Sequence, residues 1–386
     1  MAQVSPARLL TPAFVALALS DLAYFTATGV LLVATPLFVT GPLGSDEAGV
    51  GLAMGSFSVT TLLLRPPAGR WTDRHGRRAL LIGGAVMFAV VVLGHYLVTG
   101  LAGLVVLRLL LGAAEALFFV AGFAALADLA PTGRAGEALS LNSLALYLGV
   151  ATGPLLGQGL LRLGGFGLAW AGAACLAALA ALLATRVPET RPRVDPGGPA
   201  TPLLHRAATV PGLGLFCGVA AMAAFLAFAV LQARAVGIEA WSLVLLTFGG
   251  TVVGCRLGFA KLPDRVPALN VAAAALGASA VGFLAIGAAQ SPVGLVAGTV
   301  VLGAGAAFLT PAVFAAVFSM VPAEERGSAA ATTSIFIDLG LSGGPMLLGL
   351  VAAATSLPAA FTIVAALPLL GGAVLAMRQV RQTAAA

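Results

Sequence analysis

Apolar runs, each about as long as a membrane-spanning helix and separated only by short clusters of Arg, Asp, Glu, Gly and Pro, fill almost the whole chain. A helix needs roughly 20 mostly apolar residues to cross the hydrocarbon core of a bilayer. It also closes its backbone hydrogen bonds within itself, as lipid requires. Only 9% of the 386 residues are charged and 60% are hydrophobic. An ordinary soluble domain carries roughly 25% charged residues, so a water-soluble surface is excluded. The 49 glycines suit helices whose backbones approach closely in a membrane.

The pattern predicts twelve spans, at 12–38, 47–66, 79–99, 101–129, 137–161 and 166–186, then 211–233, 239–260, 267–288, 291–321, 326–353 and 357–377. The first run is too long for a signal-peptide core and reads as a retained helix. Even-numbered connections carry Arg70, Arg74, Arg77, Arg78, Arg134, Arg186, Lys261, Arg265 and Arg326, whereas odd-numbered ones carry little beyond Arg162 and Arg234. By the positive-inside rule both termini are expected in the cytoplasm, and this asymmetry, not nucleic-acid binding, accounts for the net charge of +6. The proline-rich, charged stretch 187–209 reads as a cytoplasmic linker between one bundle at 1–186 and another at 210–386.

An internal repeat supports that division. Asp73-Arg74 recurs as Asp264-Arg265, Arg65 as Arg256, Pro131 as Pro322, Gly136 as Gly327, and Gly149, Gly153 and Pro154 as Gly340, Gly344 and Pro345, always 191 positions apart. Repeated halves flanking a midplane site are a common plan of secondary transporters.

Between helices 2 and 3 the chain reads Gly69-Arg70-Trp71-Thr72-Asp73-Arg74-His75-Gly76-Arg77-Arg78. This resembles the signature G-x-L-A-D-R-x-G-R-R of the major facilitator superfamily, departing at Trp71 and Thr72. The resemblance covers the whole chain. It implies an all-α integral membrane fold of twelve helices in two pseudo-symmetric six-helix bundles. It also implies a gating role for Gly69, Asp73, Arg74, Gly76 and Arg77. Asp73 would meet the positive N-terminus of helix 11, and Arg77 would pair with Asp128; as exposed pairs, each would contribute about 0 to 1 kcal/mol. Helix 5 carries Gly149, Gly153, Pro154 and Gly157, similar to the G-x-x-x-G-P-x-x-G motif of drug and proton antiporters. The same residues also make a small-residue packing face with a proline kink. Their echo on helix 11 shows that the motif partly reflects the repeat.

Ionisable residues inside spans cost about 2.5 to 3.5 kcal/mol each on insertion scales and are candidates for function. Asp21 shares a face of helix 1 with Tyr24 and Thr28, and Arg108 shares one of helix 4 with Gly112 and Glu115. The segment around Arg108 and Gly112 resembles the family motif R-x-x-Q-G, with Leu111 in place of glutamine. That resemblance implies that Arg108 couples proton movement to substrate binding. Burial disfavours a charged carboxylate while a neighbouring guanidinium favours it, so a group between those influences can exchange protons. Asp21 and Glu115 are the two candidates, with a fixed ion pair holding helices 1 and 4 as the alternative. Asp338, in helix 11 with Ser334 and Ser342, is a second-half candidate for a proton or a cationic substrate. Tyr24, Asn142, Tyr147 and Gln232 are candidate polar contacts to substrate, and Phe119 belongs to a set of aromatic residues that suit an apolar pocket.

Other chemistry has no footing in the sequence. No phosphate-binding loop points to ATP, no Ser/His/Asp set points to an enzyme, and no cofactor is implied. The histidines His75, His95 and His205 read as surface or helix-end residues rather than a metal site. Cys175, Cys217 and Cys255 fall in spans without metal or redox spacing. The expected protein is a monomeric, multi-pass transporter of a bacterial inner membrane. Its partners are the lipid bilayer, protons and an apolar or amphiphilic small molecule that it exports, with proton-coupled import as the runner-up and a non-transporting receptor as a third class.

Overall fold

The computed structural model describes residues 9–131, 134–190, 205–259, 266–322 and 325–385. Among them the regular structure is helical throughout. In chain order the helices are α1 (Pro12–Thr40), α2 (Glu47–His75), α3 (Arg77–Leu93) and α4 (Leu101–Leu129). A single helical run, Ala135–Ala184, then supplies α5 (135–163) and α6 (166–184), because it leaves helical geometry at Gly164 and Gly165. There follow α7 (Arg206–Ala235), α8 (Ser242–Gly258), α9 (Ala268–Ala288), α10 (Pro292–Ser319), α11 (Arg326–Ala354) and α12 (Leu357–Gln379). All but α8 belong to stretches long and apolar enough to cross a membrane.

The turn between α5 and α6 rests on one backbone conformation. Gly165 has φ 66°, a region that side chains other than glycine rarely enter. The chain reverses there: a Cβ placed on Gly172 would lie 2.5 Å from the side chain of Leu160, whereas twelve residues of straight helix span about 18 Å. Other ends follow ordinary capping. Ser291 and Ser356 accept hydrogen bonds from the backbone N–H of Gly294 and Ala359, each followed by a proline within the first turn.

One boundary corrects the sequence reading. The second span was placed at 47–66, but α2 runs through Pro66 and Pro67 to His75. Most of the signature is therefore helical, and the turn into α3 is the single residue Gly76, with φ 94°. Each proline removes only one backbone donor, and the helix reforms beyond them. The predicted linker lies mostly outside the described residues, as do Lys261, Asp264 and Arg265.

The described parts of Met1–Ala34 and Thr60–Gly197 form one compact unit, and those of Thr35–Val59 and Gly198–Ala386 form another. In the first, α1 is the inner helix. Tyr24 touches Phe88 of α3 and Phe118 of α4, Asp21 meets Asn142 of α5, and Ser20 Oγ donates to Ala180 O of α6. In the second, α7 has that place, meeting α8 through Phe225 and Phe248, α9 through Gln232, α10 through Gly218 and Leu309, α11 through Ala220, and α12 through Gly214 and Leu375. Accordingly the apolar stretches of α1 and α7 are the most buried of the candidate spans. The second unit also contains the start of α2, whose Gly51 lies against Pro345 and Gly349 of α11.

The 191-residue repeat reappears in the packing. Gly149 of α5 backs onto Phe25 and Thr26 of α1, and Gly153 onto Thr26 and Gly29. At the same offset, Gly340 of α11 backs onto Phe216 and Ala220 of α7, and Gly344 onto Ala220. A further crossing repeats with its glycine exchanged. Gly84 of α3 lies against the backbone of Ala114 and Phe118 on α4, while in the second unit Gly305 of α10 lies against the backbone of Ala275 and Ser279 on α9.

Candidate functional site

The intramembrane charges Asp21, Arg108 and Glu115 of the first unit lie on α1 and α4. Asp21 is buried and accepts a hydrogen bond of 2.5 Å from Asn142 Nδ2 of α5, across 121 positions of sequence. Gly122 of α4 is its neighbour: a Cβ there would be 3.8 Å from Asp21 Oδ1, an ordinary contact distance. One turn along α1, Tyr24 is fully buried and its ring stacks on Phe118, centroids 3.9 Å apart and 5° from parallel. Its hydroxyl faces the carboxyl of Glu115 without closing a well-formed hydrogen bond. Glu115, Gly112 and Arg108 are all buried on α4. Between the two charges, Thr61 Oγ1 of α2 donates to Gly112 O at 3.1 Å. Asp21 of α1 and Asn142 of α5 thus meet, Tyr24 of α1 faces Glu115 of α4, and Arg108 is buried seven residues, about 10 Å, along α4 from Glu115.

Phe119 stands beside this region in a different setting. The Arg65 guanidinium lies 5.0 Å from its ring centroid, and Phe25 and Phe123 pack around it. A guanidinium over a ring face is attracted by the ring's quadrupole. Of the other aromatics, Phe118, Phe225 and Phe228 are fully buried. Tyr147 lies outside the described side chains. Gln232 is buried on α7 and donates through Nε2 to Ile286 O of α9 at 3.4 Å, so its donor ties two helices together. Asp338 and Ser342 are buried on α11, with Ser334 half-buried.

The signature residues form a second cluster at the start of α3. Arg77 Nε donates to Asp128 Oδ2 of α4 at 3.0 Å, and Arg77 Nη1 to Asp73 Oδ1 at 2.9 Å. The Arg77 side chain is only 7% exposed, against 28% for Asp128 and 54% for Asp73. The expectation of exposed pairs therefore holds for Asp73 and not for Arg77. Gly69 and Arg74 lie on the last turns of α2.

Glu189, which the sequence reading did not single out, accepts from the backbone N–H of Arg77 at 2.7 Å and of Arg78 at 3.2 Å. Its carboxylate caps the positive end of α3 from a segment 112 residues away in sequence. A Cβ on Gly76 would collide with it. Thr190 Oγ1 completes the cluster by donating to Asp128 Oδ2 at 2.9 Å.

His95 is a second correction. It lies near a helix end as expected, in a 3-10 turn, Gly94–Leu97, that follows α3, but it is buried, at 1% exposure, against Trp170. Its burial comes from α6, which no local pattern around His95 announces. Among the described residues no group of His, Cys, Asp or Glu is arranged to hold a metal ion, and the three cysteines are not paired in disulfides.

Comparison with known proteins gives a consistent result. The sequence model of the Major Facilitator Superfamily matches residues 17–276 and 241–385. An uncharacterized MFS-type transporter of Salmonella typhimurium is 30% identical over 364 residues, covering 90% of this chain and 91% of its own. Among solved structures, a bacterial homologue of the human lysosomal transporter Spinster superposes with a TM-score of 0.79 at 16% identity, covering 96% of this chain and 97% of that one. The nucleoside transporter NupG superposes with a TM-score of 0.74 at 17% identity, covering 95% and 98%.

Proposed function

Since the chain belongs to the major facilitator superfamily of membrane transporters, we propose that it exchanges protons for an apolar or amphiphilic small molecule, which it exports. The observation that carries this reading is the burial of Asp21 on Asn142, with Tyr24 and Glu115 one and two turns away and Arg108 buried further along α4, inside the membrane-spanning segments. An ionised carboxylate is costly there unless hydrogen-bonded or paired, and Asp21 has one strong donor in Asn142. A buried carboxylate with a single donor can take up a proton on one side of the membrane and release it on the other. On this reading protonation of Asp21 or Glu115 outside weakens substrate binding, and release of the proton into the cytoplasm restores it. Inward proton flow then drives efflux by alternating access.

The aromatic cluster of Phe25, Phe119 and Phe123 and the scarcity of charge favour an apolar substrate. The bacterial relative fits an inner-membrane location, and the arginine distribution supports cytoplasmic termini. The cluster of Asp73, Arg77 and Asp128 serves as a latch whose charges bias the conformational equilibrium, and 187–209 links two bundles, 1–186 and 210–386. Proton-coupled import on the same fold is the second reading. It is favoured by one observation: Gly149 and Gly153 are accounted for by packing on α1, and their counterparts on α11 pack in the same way, so the motif alone does not fix direction.

The test uses inverted vesicles energised to an acid interior and a panel of lipophilic cations and neutral amphiphiles. A transported compound should discharge the proton gradient, and Asp21→Asn, Glu115→Gln or Arg108→Ala should abolish the response with the protein still present in the membrane. Wild-type discharge in all three variants would defeat the proton-coupling assignment, and compound movement in the opposite sense would favour import.

A further inference from the structure

Pro311 lies inside α10 and deprives one carbonyl of that helix of its regular partner. In an α-helix the N–H of residue 311 would donate to the carbonyl of residue 307. Proline has no N–H, and its ring crowds that same carbonyl. The carbonyl belongs to Ala307, which is fully buried. Within a membrane-spanning helix a freed backbone acceptor has to be met by a neighbouring helix, a polar side chain or an ordered water. Arg256 of α8 meets this one: its Nε donates to Ala307 O at 3.1 Å, across 51 positions of sequence.

The helices are placed for this one turn earlier. A Cβ on Gly303 of α10 would lie 3.0 Å from Thr251 Cβ and 3.2 Å from Phe248 O, both of α8. Arg256 and Ala307 stand about a turn further along their own helices, in the same direction. On its other side α10 is seated on α9, through Gly305 against the backbone of Ala275 and Ser279. Pro311 itself is exposed, so its replacement removes no buried packing and its local effect is the missing donor.

The first half makes the contrast. The residue 191 positions before Pro311 is Val120, whose N–H is present to close α4 onto Ala116 O. Arg65, the counterpart of Arg256, lies over the ring of Phe119. An arginine at this place of the repeat therefore meets a broken helix only in the second half.

We infer that α10 is jointed at Pro311 and that Arg256 is a positioning residue that clasps the joint. Its guanidinium supplies the donor that the helix lacks, and in doing so fixes the bend of α10 to α8. A backbone hydrogen bond ties a helix only to itself, whereas this one ties it to a neighbour. While the clasp holds, α8 and the end of α10 beyond the break move together.

The test compares Arg256→Leu, Pro311→Ala and the two combined with wild type, as full-length protein in lipid nanodiscs, by amide hydrogen exchange over 312–318. Arg256→Leu should speed exchange there about tenfold or more, the effect of losing a hydrogen bond to a charged group. Pro311→Ala restores the missing N–H at an exposed position where alanine is the better helix former. In that background Arg256→Leu should leave exchange close to that of Pro311→Ala alone. An arginine effect of equal size in both backgrounds would mean that Arg256 acts through something other than the carbonyl freed by Pro311, and unchanged exchange in Arg256→Leu would mean that nothing is clasped; either result overturns the inference. If Arg256→Leu fails to accumulate in the membrane, recovery of the protein on adding Pro311→Ala supports the clasp, and loss of both proteins overturns it.

Discussion

Adding one methyl group at Gly153 should cost the protein about 1–3 kcal/mol, the usual range for overpacking. The alanine Cβ would lie 2.5 Å from Thr26 O and 2.6 Å from Gly29 Cα. Favourable contact between carbon atoms begins near 3.5 Å, so α1 and α5 would have to part by about 1 Å. Neither obstacle can turn aside, because both belong to backbone. Gly159 on the same helix is the control, with nothing within 4 Å of its Cβ position; there alanine should be neutral, or stabilising by up to ~1 kcal/mol through helix propensity. The assay heats purified protein in detergent and measures the fraction still monodisperse by size-exclusion chromatography. Gly153→Ala should fall at clearly lower temperature than wild type, and Gly344→Ala on α11 should behave similarly. A Gly153→Ala protein as stable as wild type, or a Gly159→Ala protein equally weakened, would refute the packing account of the helix-5 motif.

Asn142→Ala removes the donor to Asp21 and should lower stability by about 1.5–3 kcal/mol, the range for a hydrogen bond to a charged group; unfolding followed in detergent checks this, and an unchanged midpoint would contradict the bond. At the latch, Asp73→Ala should cost less than ~1 kcal/mol because that partner is half-exposed. Asp128→Ala should cost more, since it removes the acceptor of both the buried Arg77 Nε and Thr190 Oγ1, and equal losses would be contrary. Glu189→Ala should cost about 0.5–2 kcal/mol, as for loss of a helix cap, with faster amide exchange at Arg77 and Arg78 as the local sign.

The sequence was most legible where one helix's own pattern decides the outcome. The bounds of α4, 101–129, follow from an apolar run flanked by Gly100 and Ala130, and they match the structure. Gly164-Gly165 marks a reversal because glycine alone fits that backbone. The repeat was legible in loops and helices alike, and it extends to which residues touch. At Pro66 and Pro67 local signals misled, since prolines that ordinarily end helices sit inside α2. The sharing of faces by Asp21 with Tyr24, and by Arg108 with Glu115, could be read from periodicity. The link from Asp21 to Asn142, the cap from Glu189 and the burial of His95 could not, because each joins positions whose proximity only the helix packing creates.

The exchanged glycine at the α3–α4 and α9–α10 crossings limits how the two halves can be recombined. At this one point of contact the first half supplies the bare backbone from the earlier helix of the pair and the second half from the later one. Grafting α9 in place of α3 would set Ala275 against Ala114, two methyl groups where one fits. Grafting α10 in place of α4 would set Gly84 against Gly305 and leave a gap. Only the pair can be transplanted as a unit, so the heritable module of the duplicated chain is the helix hairpin rather than the single helix.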